Sequence, residues 1–393
     1  MLHPKSLKRK ILSNPLNKAV FSSGRGVYLV GGYIRNILIH GKHSKDIDYV
    51  VKKDIEALVS KVSKGLNGTV IELRKEHILR IALRDGRTLD FSRLTKDIED
   101  DLRERDFTLN AMAWAPESGL IDPVGGISDI EKRLIKGISR ENFLNDPLRL
   151  LRAYRFSAEL SWQIDRKTRR IIKSMPERLK TSASERITLE FFKLLNADEP
   201  LNALKAALRD GVLTEIISLS FNKLERNIKL ISNINKNLKK LPERYFLKEF
   251  SQGLCYMGLL RLEGLLLGSD INKNLFTLSR DILKRVTLVQ AHYKEFERVE
   301  GLSRGEMFDI FSESEDAVID LLILTGKTGY LKEAERFFRI KQKGILSSEE
   351  IMAVTGLKPG PKLGETINRL KKAQFKGEIR GRLQARNWLI NNL

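Results

Sequence analysis

The strongest constraint on the fold is a change of hydrophobic period near residue 137. Up to about Gly137, apolar residues come in short runs separated by turn formers. Beyond about Arg140 they recur at three- and four-residue spacing, as in Leu148, Leu151 and Tyr154 (with Arg155 also at helical spacing), or Leu189, Phe192 and Leu195. A period near two suits half-buried strands and a period of 3.6 suits amphipathic helices. The chain therefore reads as α+β, with a small N-terminal sheet domain followed by an all-helical remainder. At 393 residues it exceeds one ordinary core and splits into domains.

In the first part, Val27, Tyr28, Leu29 and Val30 read as a buried strand, and Gly31-Gly32 opens a short helix through Ile34, Ile37 and Leu38. Residues 46–51 read as a second strand and 55–62 as a helix; further strands are expected near 68–73, 78–83 and 88–91, with a turn at Asp85-Gly86. In the second part, strand signals vanish. Residues 223–248 read as a solvated helical face, and 356–361, containing two glycines and two prolines, as a breaker between helices.

Charge narrows the partner. Lys plus Arg exceed Asp plus Glu by 71 to 50, a net charge of +21, which favours a polyanion, above all nucleic acid. An anionic membrane surface and plain solubility are the competing explanations. Cys255 is the only cysteine, so an intramolecular disulfide and a thiolate metal cage are excluded, and it reads as a buried core thiol. His3, His40, His43, His77 and His292 show no metal-ligand spacing and read as structural or surface groups. No apolar run is long enough to span a bilayer. The basic N-terminus lacks the apolar core of a signal peptide, and the simpler expectation is a cytoplasmic protein.

Asp46 and Asp48 stand two apart on a strand, so their carboxylates leave the same face. Paired hard oxygen donors suit Mg²⁺, although a lone pair of this kind is more often merely exposed. Nearby, Gly31-Gly32 at a strand-to-helix turn can cradle phosphate, with Arg35 one turn further in. Asp90, on the strand ending near Phe91, is a candidate third carboxylate.

These residues lie in strings that resemble the class II tRNA nucleotidyltransferases, the CCA-adding enzymes and bacterial poly(A) polymerases. VGGYIRNILIHGKHSKDIDYVV is similar to the family's first motif, with Asn36 where aspartate is usual. RERDFTLNAMA (103–113) resembles the second, with Glu104 in place of an arginine. IDPVGGISDIEKRLIKGI (121–138), NDPLRLLRAYRF (145–156) and SASERITLEF (182–191) resemble the third to fifth, and residues 356–379 resemble a C-terminal segment of many CCA-adding enzymes.

The resemblance implies a nucleotidyltransferase head over 1–138, a neck over 139–200 that recognises the base, a body over 201–325 and a tRNA-binding tail over 326–393. It implies Mg²⁺ on Asp46 and Asp48, beside which Asp90 stays the candidate third catalytic carboxylate, and nucleotide contacts from Gly31, Gly32, Arg35, Arg105, Asp106, Asn110, Asp146, Arg149, Arg152 and Arg155. Asp146 and Arg149, i and i+3 on one expected helix face, would imitate a template base. A carboxylate accepts from cytosine N4 or adenine N6 but opposes the oxygen of uracil. Asn145 stands where the family usually has glutamate. Expected partners are the tRNA acceptor arm and 3′ end, CTP and possibly ATP, and no membrane.

In CCA-adding relatives a flexible loop separates the third carboxylate's strand from the second motif. Here that connection is short, a trait that the resemblance associates with addition of CC alone; full CCA addition is the alternative. Poly(A) polymerase and a non-catalytic RNA-binding scaffold are the rival readings.

Overall fold

The computed structural model describes residues 4–73, 78–238 and 248–392; His3 and His77 lie outside them, as does part of the 223–248 segment. The fold is α+β, and the chain divides into two compact units, 1–183 with 209–212, and 184–208 with 213–393.

The first unit opens with helices α1 (Pro4–Ser13) and α2 (Pro15–Ser23). There follow β1 (Val27–Val30), α3 (Gly32–His40), β2 (Asp46–Val51), α4 (Ile55–Leu66), β3 (Thr69–Leu73), β4 (Ile78–Ala82) and β5 (Thr88–Arg93). After α5 (Ile98–Arg103) come β6 (Ala113–Ala115), β7 (Gly119–Ile121), α6 (Gly126–Glu131), β8 (Leu134–Ile135), α7 (Arg140–Asn145), α8 (Arg149–Leu160), β9 (Gln163–Ile164) and α9 (Arg166–Lys173). Among the described residues the main sheet has the order β3-β4-β5-β2-β1-β6-β7, with only β2 and β5 parallel.

One register line crosses all seven strands, through Ile71, Arg80, Asp90, Asp48, Val30, Ala113 and Ile121. Residues opposite one another in adjacent strands share a face, so Arg80, Asp90 and Asp48 stand side by side. On the other face Tyr49 stacks on Phe91 and meets the edge of Phe21, which also packs against Trp114. The glycine turn at 85–86 carries Gly86 at φ +81°, and Leu83 N–H donates to the Arg87 carbonyl, closing the β4–β5 hairpin.

In the second unit, helix Phe221–Leu238 buries Leu224, Ile228 and Ile231 and exposes Asn222, Lys223, Glu225, Arg226 and Lys229, as its sequence predicts. Gly356 and Gly360, both at positive φ, separate helix Ser348–Thr355 from helix Pro361–Lys376 around a core of Ile351, Leu363, Leu370 and Leu389. Two expectations need correction. Strands do recur after residue 140, as β9 and as the pair Glu249–Ser251 with Leu254–Cys255. Cys255 is half-buried, not a core thiol: its sulfur accepts from Gly258 N–H at the start of helix Tyr256–Leu266 and donates to Asn196 Oδ1. No helix among the described residues is long and apolar enough to cross a membrane.

Candidate active site

β1 ends at a turn that only glycine satisfies. Gly31 has φ +71° and ψ −138°, and a β-carbon there would meet Arg105 Nη1 at 3.1 Å and Asp48 Oδ2 at 3.6 Å. A β-carbon on Gly32 would lie 3.4 Å from Arg35 Nη2. The first turn of α3 therefore opens beside a carboxylate and two guanidinium groups, in the geometry that favours a bound anion.

On β2 the pleat turns Ile47 and Tyr49 inward and exposes Asp46 and Asp48. Thr88 Oγ1 donates to Asp46 Oδ1 at 2.7 Å. Arg80 grips Asp90 in a fork, Nε and Nη2 each donating to one oxygen at 2.7 Å. Water reaches Asp48, yet the surrounding protein desolvates its carboxyl and raises it above its ordinary value. The charges of Asp90 and Asp46 push the same way, while Arg105 and Arg80 oppose them. Crowded anionic oxygens on an open face fit a divalent cation, which would relieve their repulsion. The three carboxylates do not converge, however. Among the described residues only His292, Glu295 and Glu313 bring three ligand atoms within 4.8 Å of one another. That cluster, in the second unit, with a half-buried histidine and two exposed carboxylates, qualifies the expectation that no histidine has a metal-ligand spacing.

Behind the turn lies an arginine shell. Asp106 accepts from Phe107 N–H at 2.7 Å and Asn110 Nδ2 at 2.9 Å through one oxygen. Through the other it accepts from Arg152 Nε at 2.9 Å and Nη2 at 2.6 Å. Burial would raise its carboxyl, but Arg152 and these donors outweigh it, and the net shift is downward. Asn110 Oδ1 in turn accepts from Arg35 Nη1 at 2.6 Å, and Asn36 Oδ1 accepts from Arg35 Nε and Nη2. Asn36, where the resemblance has aspartate as usual, thus holds the Arg35 guanidinium by its amide oxygen. Arg35, Arg152 and Arg155 all lie against the Phe156 ring, at 5.0, 5.6 and 4.0 Å from its centroid. Desolvation lowers the Arg35 guanidinium to about 10, with Glu159 opposing and Arg155 adding to the shift. Arg105 reaches Asp101 at 3.0 Å, and its carbonyl accepts from Arg149 Nη1 at 3.1 Å.

The templating pair does not share a helix face. Asp146 caps the end of α7 in extended conformation, and Pro147 and Leu148 form the turn before Arg149 begins α8. Pro147 disfavours helical backbone at the residue before it, which the i, i+3 reading overlooked. The two are still joined by Arg149 N–H donating to the Asp146 carbonyl at 3.1 Å.

A second network braces the site from below. Asn14 Nδ2 and Asn17 Nδ2 both donate to Tyr33 Oη, at 2.8 and 3.0 Å, filling its two lone pairs. The Tyr33 proton must then go to His43 Nδ1, 2.6 Å away, which requires a neutral ring. Burial, and then Lys10, lower the His43 imidazole accordingly. Tyr49 Oη donates to Asn17 Oδ1 at 2.5 Å, so Asn17 bridges the neighbour of Gly32 to the neighbour of Asp48. Sequence reasoning missed this network, Arg80 and Phe156. Arg80 alone had a usable signal: counting outward from the 85–86 turn pairs it with Asp90.

Two family models match the chain. The poly(A) polymerase head domain covers residues 27–136, and the probable RNA and SrmB-binding site of polymerase A covers 162–219. The chain is 29% identical to a CC-adding tRNA nucleotidyltransferase of Geobacter sulfurreducens, over 96% of this chain and 95% of that one. It is 28% identical to a protein of the same description in Synechocystis, over 91% of each. The fold matches that of the Thermotoga maritima CCA-adding enzyme complexed with tRNA, with a TM-score of 0.78, 20% identity and 98% of both chains covered. With the glycine turn, the strand-borne aspartates and the five motifs in order, these matches support the resemblance to the class II tRNA nucleotidyltransferases.

Proposed function

We propose that this enzyme adds two cytidines, and no adenosine, to the 3′ end of tRNA, drawing CMP from CTP and releasing pyrophosphate. The observation that carries this reading is the connection from β5 to α5. It consists of residues 94–97 only, tied down by Leu94 N–H donating to the Val51 carbonyl at 2.8 Å and by Asp97 capping α5. Ile98 and Leu102 then pack into the core with Val30 and Val50. Nothing here is long or loose enough to re-pose the site for a second, larger base. The Geobacter and Synechocystis relatives are named for the same product. Relatives named for CCA addition and for A addition match at 27% and 26%, so the connector, and not the names, is what supports this reading.

In this reading the α3 N-terminus with Gly31 and Gly32 receives the triphosphate, and Arg35 and Arg105 supply nearby positive charge. Asp106 and Asn110 face the ribose. Asp146 accepts from cytosine N4, and Arg149 donates to the adjacent ring acceptor, within the shell of Arg152 and Arg155. Asp46 and Asp48 hold Mg²⁺, which when bound would polarise phosphate and acidify the attacking 3′-hydroxyl. Asp90 supports them as a third carboxylate. The head over 1–138, neck over 139–200, body over 201–325 and tail over 326–393 divide the labour, with the basic helical part gripping the acceptor arm by shape and phosphate contacts. The enzyme would work in the cytoplasm.

The test is a sequencing-gel assay on tRNA ending at the discriminator base. CTP alone should extend it by two residues, and ATP should add nothing with or without CTP. A third residue with both nucleotides would establish CCA addition instead, and a ladder with ATP alone would establish polyadenylation.

A further inference from the structure

We propose that Arg80 is a positioning residue that withholds Asp90 from the metal site until a divalent cation draws it over. The inference rests on the reading that Asp46 and Asp48 hold that cation. Arg80, Asp90 and Asp48 occupy consecutive places on one register line and one face of the sheet. At this distance a carboxylate turns toward whichever cation offers more. In the structure that cation is the Arg80 guanidinium, whose Nε and Nη2 take one oxygen each at 2.7 Å. The fork fixes the carboxylate plane as well as its charge.

The consequence is visible in the geometry: Asp46 is tethered by Thr88, Asp90 by Arg80, and the three carboxylates do not close on a common point. A carboxylate has lone pairs enough for a guanidinium and a metal together. Reaching the metal nevertheless requires Asp90 to leave this planar fork. The pair is accessible, with Arg80 37% and Asp90 20% exposed, so its exchange costs little. Arg80 thereby sets how much divalent cation the head needs before its third carboxylate engages.

The probe is Mn²⁺ alone, titrated into the full chain without nucleotide or tRNA and followed by the electron paramagnetic resonance of the free ion. Arg80→Gln should bind Mn²⁺ about twofold to fivefold more tightly than the wild type, the scale of a half-exposed ion pair. In Arg80→Gln with Asp90→Asn that gain should vanish, because the freed carboxylate is its source. Unchanged or weaker binding by Arg80→Gln, or a gain that persists without Asp90, overturns the proposal. Asp48→Asn separates this from the underlying reading. If that variant binds Mn²⁺ as well as the wild type, the metal does not sit at Asp46 and Asp48 at all.

Discussion

Asp106→Asn tests the energetic centre of the site. The side chain is 7% exposed and that of Arg152 29%. Asparagine keeps an acceptor for Phe107 N–H, but its amide must then face Arg152, setting donor against donor where two charge-assisted bonds stood. Removing one partner of a fully buried pair costs about 3–5 kcal/mol; partial access of water to Arg152 reduces this to about 2–3 kcal/mol. With a urea slope of about 2 kcal/mol/M, the midpoint should fall by about 1 M. Trp114 and Trp162 lie in the first unit and Trp388 in the second, so fluorescence in a Trp388→Phe background reports the relevant unit.

The pH dependence carries the sign. The folded Asp106 carboxyl lies below its unfolded value, so its stabilisation is complete above about pH 4 and disappears as pH falls through the folded value. The gap between wild type and variant should therefore be widest near pH 7 and close in acid. A midpoint shift under about 0.3 M at pH 7, or a gap undiminished at low pH, would refute the reasoning.

Asp146→Ala or Arg149→Ala should reduce the preference for CTP over UTP by about tenfold to a hundredfold while changing tRNA affinity much less. An unaltered preference in a competition assay removes them from base selection. Gly31→Ala forces a side chain into a backbone region reserved for glycine and against Arg105, at about 1–3 kcal/mol. The circular dichroism spectrum should hardly change while kcat/KM for CTP drops more than about tenfold, and near-normal turnover would show that the turn needs no glycine.

How much of this was legible beforehand follows from chain distance. The β4–β5 hairpin, the glycine turn and the two aspartates are local patterns, and the sequence places them to within a few residues. β6 and β7 escaped because three-residue strands such as Ala113–Ala115 offer no alternation to count. Arg35 meets Asn110 across 75 residues and Arg152 meets Asp106 across 46, pairings that no periodicity encodes. Motif resemblance supplied those residues as a set, but not who holds whom. Asp146 departs from the expected helix face for a local reason: Pro147 disfavours helical backbone at the residue before it.

The Asn14 and Asn17 brace bears on how the head can be dissected. The matched head domain begins at Val27, an inviting place to cut when the catalytic part is wanted by itself. Such trimming would strip away both asparagines, leaving the Tyr49 hydroxyl beside Asp48 without its acceptor and the Tyr33 hydroxyl beside the glycine turn with its His43 bond but without its two donors. A minimal head that keeps every motif would still be missing its foundation, and its borders are better drawn by hydrogen bonds than by similarity.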